Sequence, residues 1–452
     1  MATTPAPTHN PKLAASASFI GSTVEYYDFF AYGAATALVF GPLFFSGLDP
    51  ATAVFAAMAT FGAAYLARPV GAVIFGHIGD RIGRKAALIA TLLMMGVATF
   101  IIGLLPTYDQ IGAAAPVLLL VMRLLQGLSA GGEWGGAVSL SMEHANNKRR
   151  GFISSFTNSG ALAGSVLASL AMIAVTRLPD DQFITWGWRL PFLLSAVLVV
   201  VGLVLRAKLP EPPGFEQVKT AEQRERMPVL TVFRYHWTTV LRVVGCSGYT
   251  VISTIAGVFA LSYALQVGAA TATVVLVVKL LSTSTAVLTQ PLFGLAADRF
   301  GRRPVFAIGA LGCAGATFLL FWAIGAHVTP MIFLGHWLLV GIAYSMPNGV
   351  APSMYSEMFR TPVRYTGVAL SSQLGQLIAG FAPAVAAVLV VAADGGWIWV
   401  AVATAGACVV SAVSAVTMRE TSHVSFDDLG ASATERSDGT PEARTPTTSG
   451  QA

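Results

Sequence analysis

The chain has 452 residues, of which 55% are hydrophobic and only 11% charged, with a mean hydropathy of +0.68. Soluble globular proteins carry roughly 25% charged residues, so this composition belongs to an integral membrane protein and excludes an ordinary soluble domain. The formal net charge of +5 does not signal nucleic acid, because Lys and Arg sit in short stretches between apolar runs and not on one polar domain.

From the start, Met1 to Pro11 is polar, without a basic n-region or a small-residue cleavage site. The first apolar run is therefore expected to stay as a span, not to leave as a signal peptide. Crossing the hydrocarbon core takes about 20 residues, which predicts spans near 14–41, 53–77, 87–105, 115–141, 152–175 and 189–207. A second set follows near 240–265, 273–297, 304–325, 330–357, 366–391 and 396–418. These spans, about twelve in all, predict an all-α membrane protein. An even number puts both termini on one side.

Basic residues cluster in alternate loops: Arg81, Arg84 and Lys85; Lys148, Arg149 and Arg150; Arg299, Arg302 and Arg303; Arg360 and Arg364. The positive-inside rule makes these loops, and with them both termini, cytoplasmic. Residues 1–13 then form a short cytoplasmic tail, 14–207 a first six-helix bundle and 240–418 a second. Between them Arg206 to Trp237, with Pro210, Pro212 and Pro213, reads as a polar cytoplasmic linker, bounded at 208–239. The stretch 419–452, rich in Ser, Thr, Asp and Gly, is expected to be disordered, and it shows no heptad repeat. Cys246, Cys313 and Cys408 lie far apart in apolar runs, without metal-ligand spacing, and are expected to face lipid or pack.

A short basic turn occurs twice. Gly76-His77-Ile78-Gly79-Asp80-Arg81-Ile82-Gly83-Arg84-Lys85 returns as Gly294-Leu295-Ala296-Ala297-Asp298-Arg299-Phe300-Gly301-Arg302-Arg303, half a chain later. Duplicated halves are a common transporter architecture. Gly76, Gly83, Gly294 and Gly301 permit close approach and tight turning, while Asp80 and Asp298 pair with Arg84 and Arg302 or cap a neighbouring helix end. These eight residues are the candidates for conformational gating.

Ionisable residues inside spans are costly and so are functional candidates. The first span holds Glu25 and Asp28 on one face, with Tyr32 a turn further; the second holds Arg68; the fourth carries Arg123, Gln126 and Glu133 on one stripe. From the cytoplasmic ends, the helical rise puts Glu25 roughly 16 Å deep, Arg68 roughly 18 Å, Glu133 roughly 15 Å, Asp28 roughly 21 Å and Arg123 roughly 30 Å, towards the outer mouth. Three carboxylates against two guanidinium groups leave a surplus acid, and a surplus buried acid favours its protonated form. The plainer alternative is a static salt-bridge network. In the second half the polar face is mostly neutral: Tyr249, Thr250, Ser253, Gln290, Tyr344, Asn348, Gln373 and Gln376 are candidates for lining a cavity. Gly131-Gly132, Gly135-Gly136, Gly160 and Gly164 allow close helix approach, and Pro347, Pro352 and Pro383 predict kinks.

The segments Val24-Glu25-Tyr26-Tyr27-Asp28-Phe29, Arg68-Pro69-Val70-Gly71, Arg123-Leu124-Leu125-Gln126-Gly127, Gly131-Gly132-Glu133-Trp134-Gly135 and Trp186-Gly187-Trp188-Arg189-Leu190-Pro191-Phe192 resemble the major facilitator superfamily. Within it they resemble the metabolite:proton symporters that include shikimate, α-ketoglutarate and proline/betaine permeases. The resemblance covers roughly Ser16 to Met418. It implies twelve helices in two six-helix bundles, a bacterial plasma membrane, alternating access by rocking, and the proton as coupling ion with no other cofactor or metal. The osmosensing proline/betaine members have a C-terminal coiled coil that this tail lacks.

The expected function is import of a small organic acid anion together with protons, by a monomer in the lipid bilayer. Arg68 would bind the substrate carboxylate and Arg123 attract the anion at the outer mouth. Glu25, Asp28 and Glu133 would carry the proton and release Arg68 from its internal partner. Gln126, Tyr26, Tyr32, Trp134, Tyr249, Tyr344, Asn348 and Gln373 complete the candidate substrate site. A second reading takes a zwitterion such as betaine or proline, its cation caged by Tyr26, Tyr27, Tyr32 and Trp134. A third, of another class, is a receptor signalling through linker and tail. No nucleophile–base pair, metal cluster or phosphate loop suggests an enzyme.

Overall fold

The structure is a computed structural model that describes residues 11–208, 227–424 and 429. The expected linker core, 209–226, and nearly all of the tail beyond 424 lie outside the described residues, as do residues 1–10 of the N-terminal tail. Among the described residues the regular structure is entirely helical.

The long helices are α1 (Pro11–Ala35), α2 (Pro50–Arg81), α3 (Arg84–Leu104), α4 (Ala114–Glu143), α5 (Arg150–Val175), α6 (Leu190–Lys208), α7 (Trp237–Gln266), α8 (Ala272–Phe300), α9 (Arg302–Gly325), α10 (Thr329–Ser356), α11 (Arg364–Ala392) and α12 (Ile398–Thr417). Ten of these are long and apolar enough to cross a membrane. The other two, α1 and α2, have 25 and 32 residues, more than the 20 or so that a crossing needs. The twelve pack as two six-helix bundles, α1–α6 and α7–α12.

Helix ends follow local chemistry. Asp49 caps α2 by accepting from the Thr52 N–H at 3.2 Å, with Pro50 in the first turn, where its missing N–H costs nothing. The α2–α3 and α8–α9 turns pass through Gly83 (φ 146°) and Gly301 (φ 101°), backbone that residues with a Cβ rarely adopt.

Small residues set the packing distance inside the first bundle. A Cβ on Gly160 of α5 would collide with the backbone of Phe19 on α1, and one on Gly131 of α4 with the Arg68 carbonyl. Gly160→Leu is therefore expected to destabilise the fold by at least the 1–3 kcal/mol or so of an overpacked core. Thermal unfolding in detergent checks this; an unchanged midpoint would show that α1 and α5 can separate without cost. The apolar exterior, with Val197, Leu288, Val388 and Val391 exposed, suits lipid. Cys246, Cys313 and Cys408 are buried and pack within the second bundle, so none of them faces lipid.

Three features depart from the sequence reading. π-helical turns interrupt the spans at Thr36–Phe40, Ile255–Phe259 and Trp337–Ala343, and Pro347 follows the last of them. The linker is shorter than expected: α6 runs to Lys208 and buries Arg206, and a short helix, Pro228–Tyr235, precedes α7. The tail is not wholly loose, because residues 420–424 pack back onto the repeated turn of the second bundle, as described below.

Candidate functional site

Each repeated turn reaches into the opposite bundle. The Asp80 carboxylate accepts from the backbone N–H groups of Tyr365 (3.2 Å) and Thr366 (2.9 Å) in the first turn of α11. Asp298 accepts from those of Gly151 and Phe152, both at 2.9 Å, in the first turn of α5. A helix N-terminus favours such negative charge. Gly76 and Gly294 let the helices come this close: a Cβ on either would meet Thr366 or Gly151 at under 3.0 Å.

Around each Asp lies a matching buried ion set. Arg84 approaches Asp80 at 3.4 Å and Glu143 at 3.3 Å, while Glu143 also pairs with Arg364 of the other bundle at 2.9 Å. Likewise Arg302 holds Asp298 at 2.7 Å and Glu357 at 3.1 Å, and Glu357 pairs across with Arg150 at 2.9 Å. Sequence reasoning treated Arg150 and Arg364 as loop markers and gave Glu143 and Glu357 no functional role. Their own recurrence at the half-chain spacing was the available signal.

The tail adds a strap. Glu420 accepts from the backbone N–H groups of Arg302 (2.9 Å) and Arg303 (3.0 Å), the Thr421 hydroxyl donates to Glu357, and Arg150 donates to the Thr421 and Val424 carbonyls. Burial works against charge on Glu420, but the N–H donors of Arg302, Arg303 and Ser422 outweigh it and hold the carboxyl below its ordinary value. The contact is thus fully present above the ordinary glutamate range, near pH 4.3, and is lost as pH falls through the lower folded value. Glu420→Gln is expected to expose Arg419 to trypsin several-fold faster at neutral pH; equal cleavage would mean that the strap does not depend on this charge.

Deeper in the first bundle, the charges group differently from the expectation. Glu133 is paired with Arg206, which also donates to the Leu88 carbonyl at 2.6 Å, and Thr91 donates to Glu133 at 2.5 Å. Arg206 is thus a buried member of the network and not a linker residue. It brings the count to three acids and three guanidinium groups, so the surplus acid inferred from sequence does not exist. Glu25 lies within electrostatic reach of Arg68 and Arg206, with Asp28 as a like charge.

Asp28 is the exception. It is completely buried, the hydroxyls of Thr99 and Ser195 face it, and among the described residues neither of its oxygens has a hydrogen bond of ordinary geometry or an ion pair.

Arg68 projects to the interface between bundles. Its guanidinium lies over the rings of Phe29 (4.6 Å) and Tyr65 (4.4 Å) and donates weakly, at 3.4 Å, to Gln376 of α11. Among the described residues no carboxylate lies within ion-pair distance of it, so Glu25 acts on Arg68 only at longer range. Tyr26 and Tyr65 are close enough to Tyr344 of α10 to interact with it electrostatically, so residues of both bundles surround Arg68.

Arg123 does not stand at the outer mouth. Its long side chain folds inward, fully buried, between Phe29 (4.4 Å) and Tyr32 (4.1 Å), and donates to Gln126 at 3.0 Å. Gln126 in turn donates to Thr99 at 2.7 Å, so it too points into the first bundle. Phe29 therefore carries a guanidinium group from Arg68 and another from Arg123.

The four aromatic residues offered as a cation cage do not converge. Tyr27 donates to the Pro191 carbonyl at 2.9 Å, Tyr32 bonds Thr60 at 2.6 Å, and Trp134 donates to Asn158 at 2.6 Å, while Tyr26 packs with Phe29 and Phe30. Tyr249 and Asn348 are engaged with each other, the hydroxyl donating to the side-chain oxygen at 3.1 Å. Gln373 is buried, and its side-chain oxygen has no partner among the described residues.

Comparison with known proteins now has a geometry to meet. The family described as "Sugar (and other) transporter" matches residues 13–232, and "Major Facilitator Superfamily" matches 241–435. The shikimate transporter of Escherichia coli is 39% identical over 414 residues, covering 90% of this chain and 94% of its own. The proline/betaine transporter of Escherichia coli is 33% identical, covering 91% and 84%. Among solved structures, the proton:xylose symporter XylE bound to 6-bromo-6-deoxy-D-glucose superimposes with a TM-score of 0.75 at 17% identity, covering 91% of this chain and 96% of that one. The chain belongs to the major facilitator superfamily, with the fold of that superfamily and relatives that are metabolite transporters, not enzymes.

Proposed function

We propose that this transporter imports a small organic acid anion together with protons across a bacterial plasma membrane, as a monomer, with the repeated turns and both termini in the cytoplasm. The single observation that carries the reading is Arg68, a buried guanidinium between the bundles whose hydrogen-bond donors are under-used: two aromatic faces, one long amide contact and no ion pair. A fork of this kind matches a carboxylate in two parallel bonds. The second positive charge of Arg123 behind Phe29 adds to the attraction.

With the bundles tied together at the turn end, the proposed substrate site at Arg68 would be reached from the outer side. Asp28 is the proposed proton carrier, because its charge has no compensating partner when ionised. Glu25, between Arg68 and Arg206, relays the change of charge to Arg68, and Glu133 holds Arg206 in place. Tyr26, Tyr344, Gln373 and Gln376 contact the rest of the substrate. Opening of the cytoplasmic side then requires the Asp80–Arg84 and Asp298–Arg302 sets to part. The 39% identity to a shikimate transporter favours an acid over a zwitterion, as does the scattering of the aromatic residues.

The test is uptake into liposomes containing the protein, under an imposed inward proton gradient, with labelled shikimate, α-ketoglutarate, citrate, proline and betaine. Accumulation of an acid supports the reading; accumulation of betaine or proline alone would replace it with osmolyte transport, and ligand binding without movement would favour a receptor.

A further inference from the structure

An α-helical carbonyl accepts from the N–H four residues on, so a proline leaves the carbonyl four residues before it vacant. Pro352 in α10 vacates that of Asn348, and Pro291 in α8 that of Val287. Both vacancies are filled from the other bundle by consecutive residues of α5. The Asn158 side-chain amide donates to the Asn348 backbone carbonyl at 2.7 Å and to its side-chain oxygen at 3.2 Å. The Ser159 hydroxyl donates to the Val287 carbonyl at 2.5 Å. By contrast, the carbonyl vacated by Pro383, that of Ala379, is filled from within its own bundle by Thr254 at 2.8 Å.

The pair is built in on every side. Asn158, Ser159 and Asn348 are all buried; the Asn158 oxygen accepts from Trp134, and Asn348 also accepts from Tyr249. Asn158 lies two helical turns from the end of α5 that holds Arg150, about 12 Å inward from the charged turns. Nothing charged takes part.

We propose that Asn158-Ser159 is a neutral latch between the bundles, engaging two proline-vacated carbonyls, that must break whenever the turn side opens. The latch rests on the alternating-access reading, but not on proton coupling or on the identity of the substrate. Asn158 acts as a positioning residue: it sets the balance between closed and open forms through Asn348 and does not perform chemistry on the substrate.

The experiment uses the full chain with its three cysteines replaced by alanine and with Ser155→Cys as reporter, since Ser155 packs against Gly294 at the closed turn side. Asn158→Ala is expected to speed thiol labelling about 3- to 10-fold, as loss of one or two hydrogen bonds allows, and to weaken apparent affinity for external substrate while raising exchange turnover. Asn158→Asp keeps the acceptor for Trp134 but offers Asn348 no donor when ionised, so it is expected to speed labelling at a pH where the carboxylate is ionised. Pro352→Ala leaves α5 intact and returns an N–H to the Asn348 carbonyl; it is expected to speed labelling in the same direction, and it carries the test if the α5 variants do not fold. Unchanged labelling in monodisperse Asn158→Ala or Pro352→Ala protein would overturn the latch, even if substrate and proton move as proposed.

Discussion

Arg68→Ala is expected to reduce uptake by at least 30-fold, and by more than 1,000-fold if the substrate carboxylate is left fully buried and unpaired. The estimate follows from the cost of removing one partner of a buried, hydrogen-bonded charge pair, about 2–5 kcal/mol. Arg68 makes no ion pair among the described residues, only aromatic contacts and the 3.4 Å bond to Gln376. Its loss should therefore cost little stability beyond packing. Arg68→Lys keeps the charge but not the planar fork, so partial recovery, with weakened apparent affinity, is the expected intermediate. Initial rates across substrate concentration, with protein yield and melting as controls, decide the matter. Uptake by Arg68→Ala within threefold of the parent would remove Arg68 from the binding site.

Asp28→Asn should separate movement from coupling. The amide keeps the size of the carboxylate and can bond the facing Thr99 and Ser195 hydroxyls, but it cannot carry a proton. Uphill accumulation is expected to vanish while substrate exchange stays within a few-fold of the parent. Glu133→Gln is a different perturbation, because it leaves Arg206 buried without its carboxylate; breaking such a pair costs about 3–5 kcal/mol, so loss of folded protein is expected alongside loss of transport. Asp28→Asn that still accumulates substrate against a gradient would assign the proton elsewhere, with Glu25 next.

What was legible in the sequence was whatever repeats or violates membrane composition. The duplicated turn announced two halves, and its Asp residues do cap helices, though those of the opposite bundle. Glu25, Asp28, Arg68 and Glu133 stood out because charge in a span is costly. What was not legible depended on side-chain reach and on carbonyl accounting. Arg206 sits at the polar end of α6, where sequence reads a linker, yet its long stem turns back to Glu133. Arg123 lies at the right height for an outer mouth but folds inward onto Phe29 and Tyr32. Depth along a helix axis is therefore a poor guide for arginine, whose side chain spans more than a helical turn. Asn158 carries no signal in the sequence, and only its place opposite the carbonyl vacated by Pro352 gives it a specific partner.

The central claim, that movement of an organic acid is tied to movement of protons, is tested most directly by the lumenal pH of liposomes containing the protein, read with a trapped pH-sensitive dye. With no gradient imposed, adding the transported acid outside should acidify the lumen at a rate that follows substrate uptake, and Asp28→Asn should abolish the signal while exchange continues. Substrate entry with no change in lumenal pH in the unmodified protein would contradict the account.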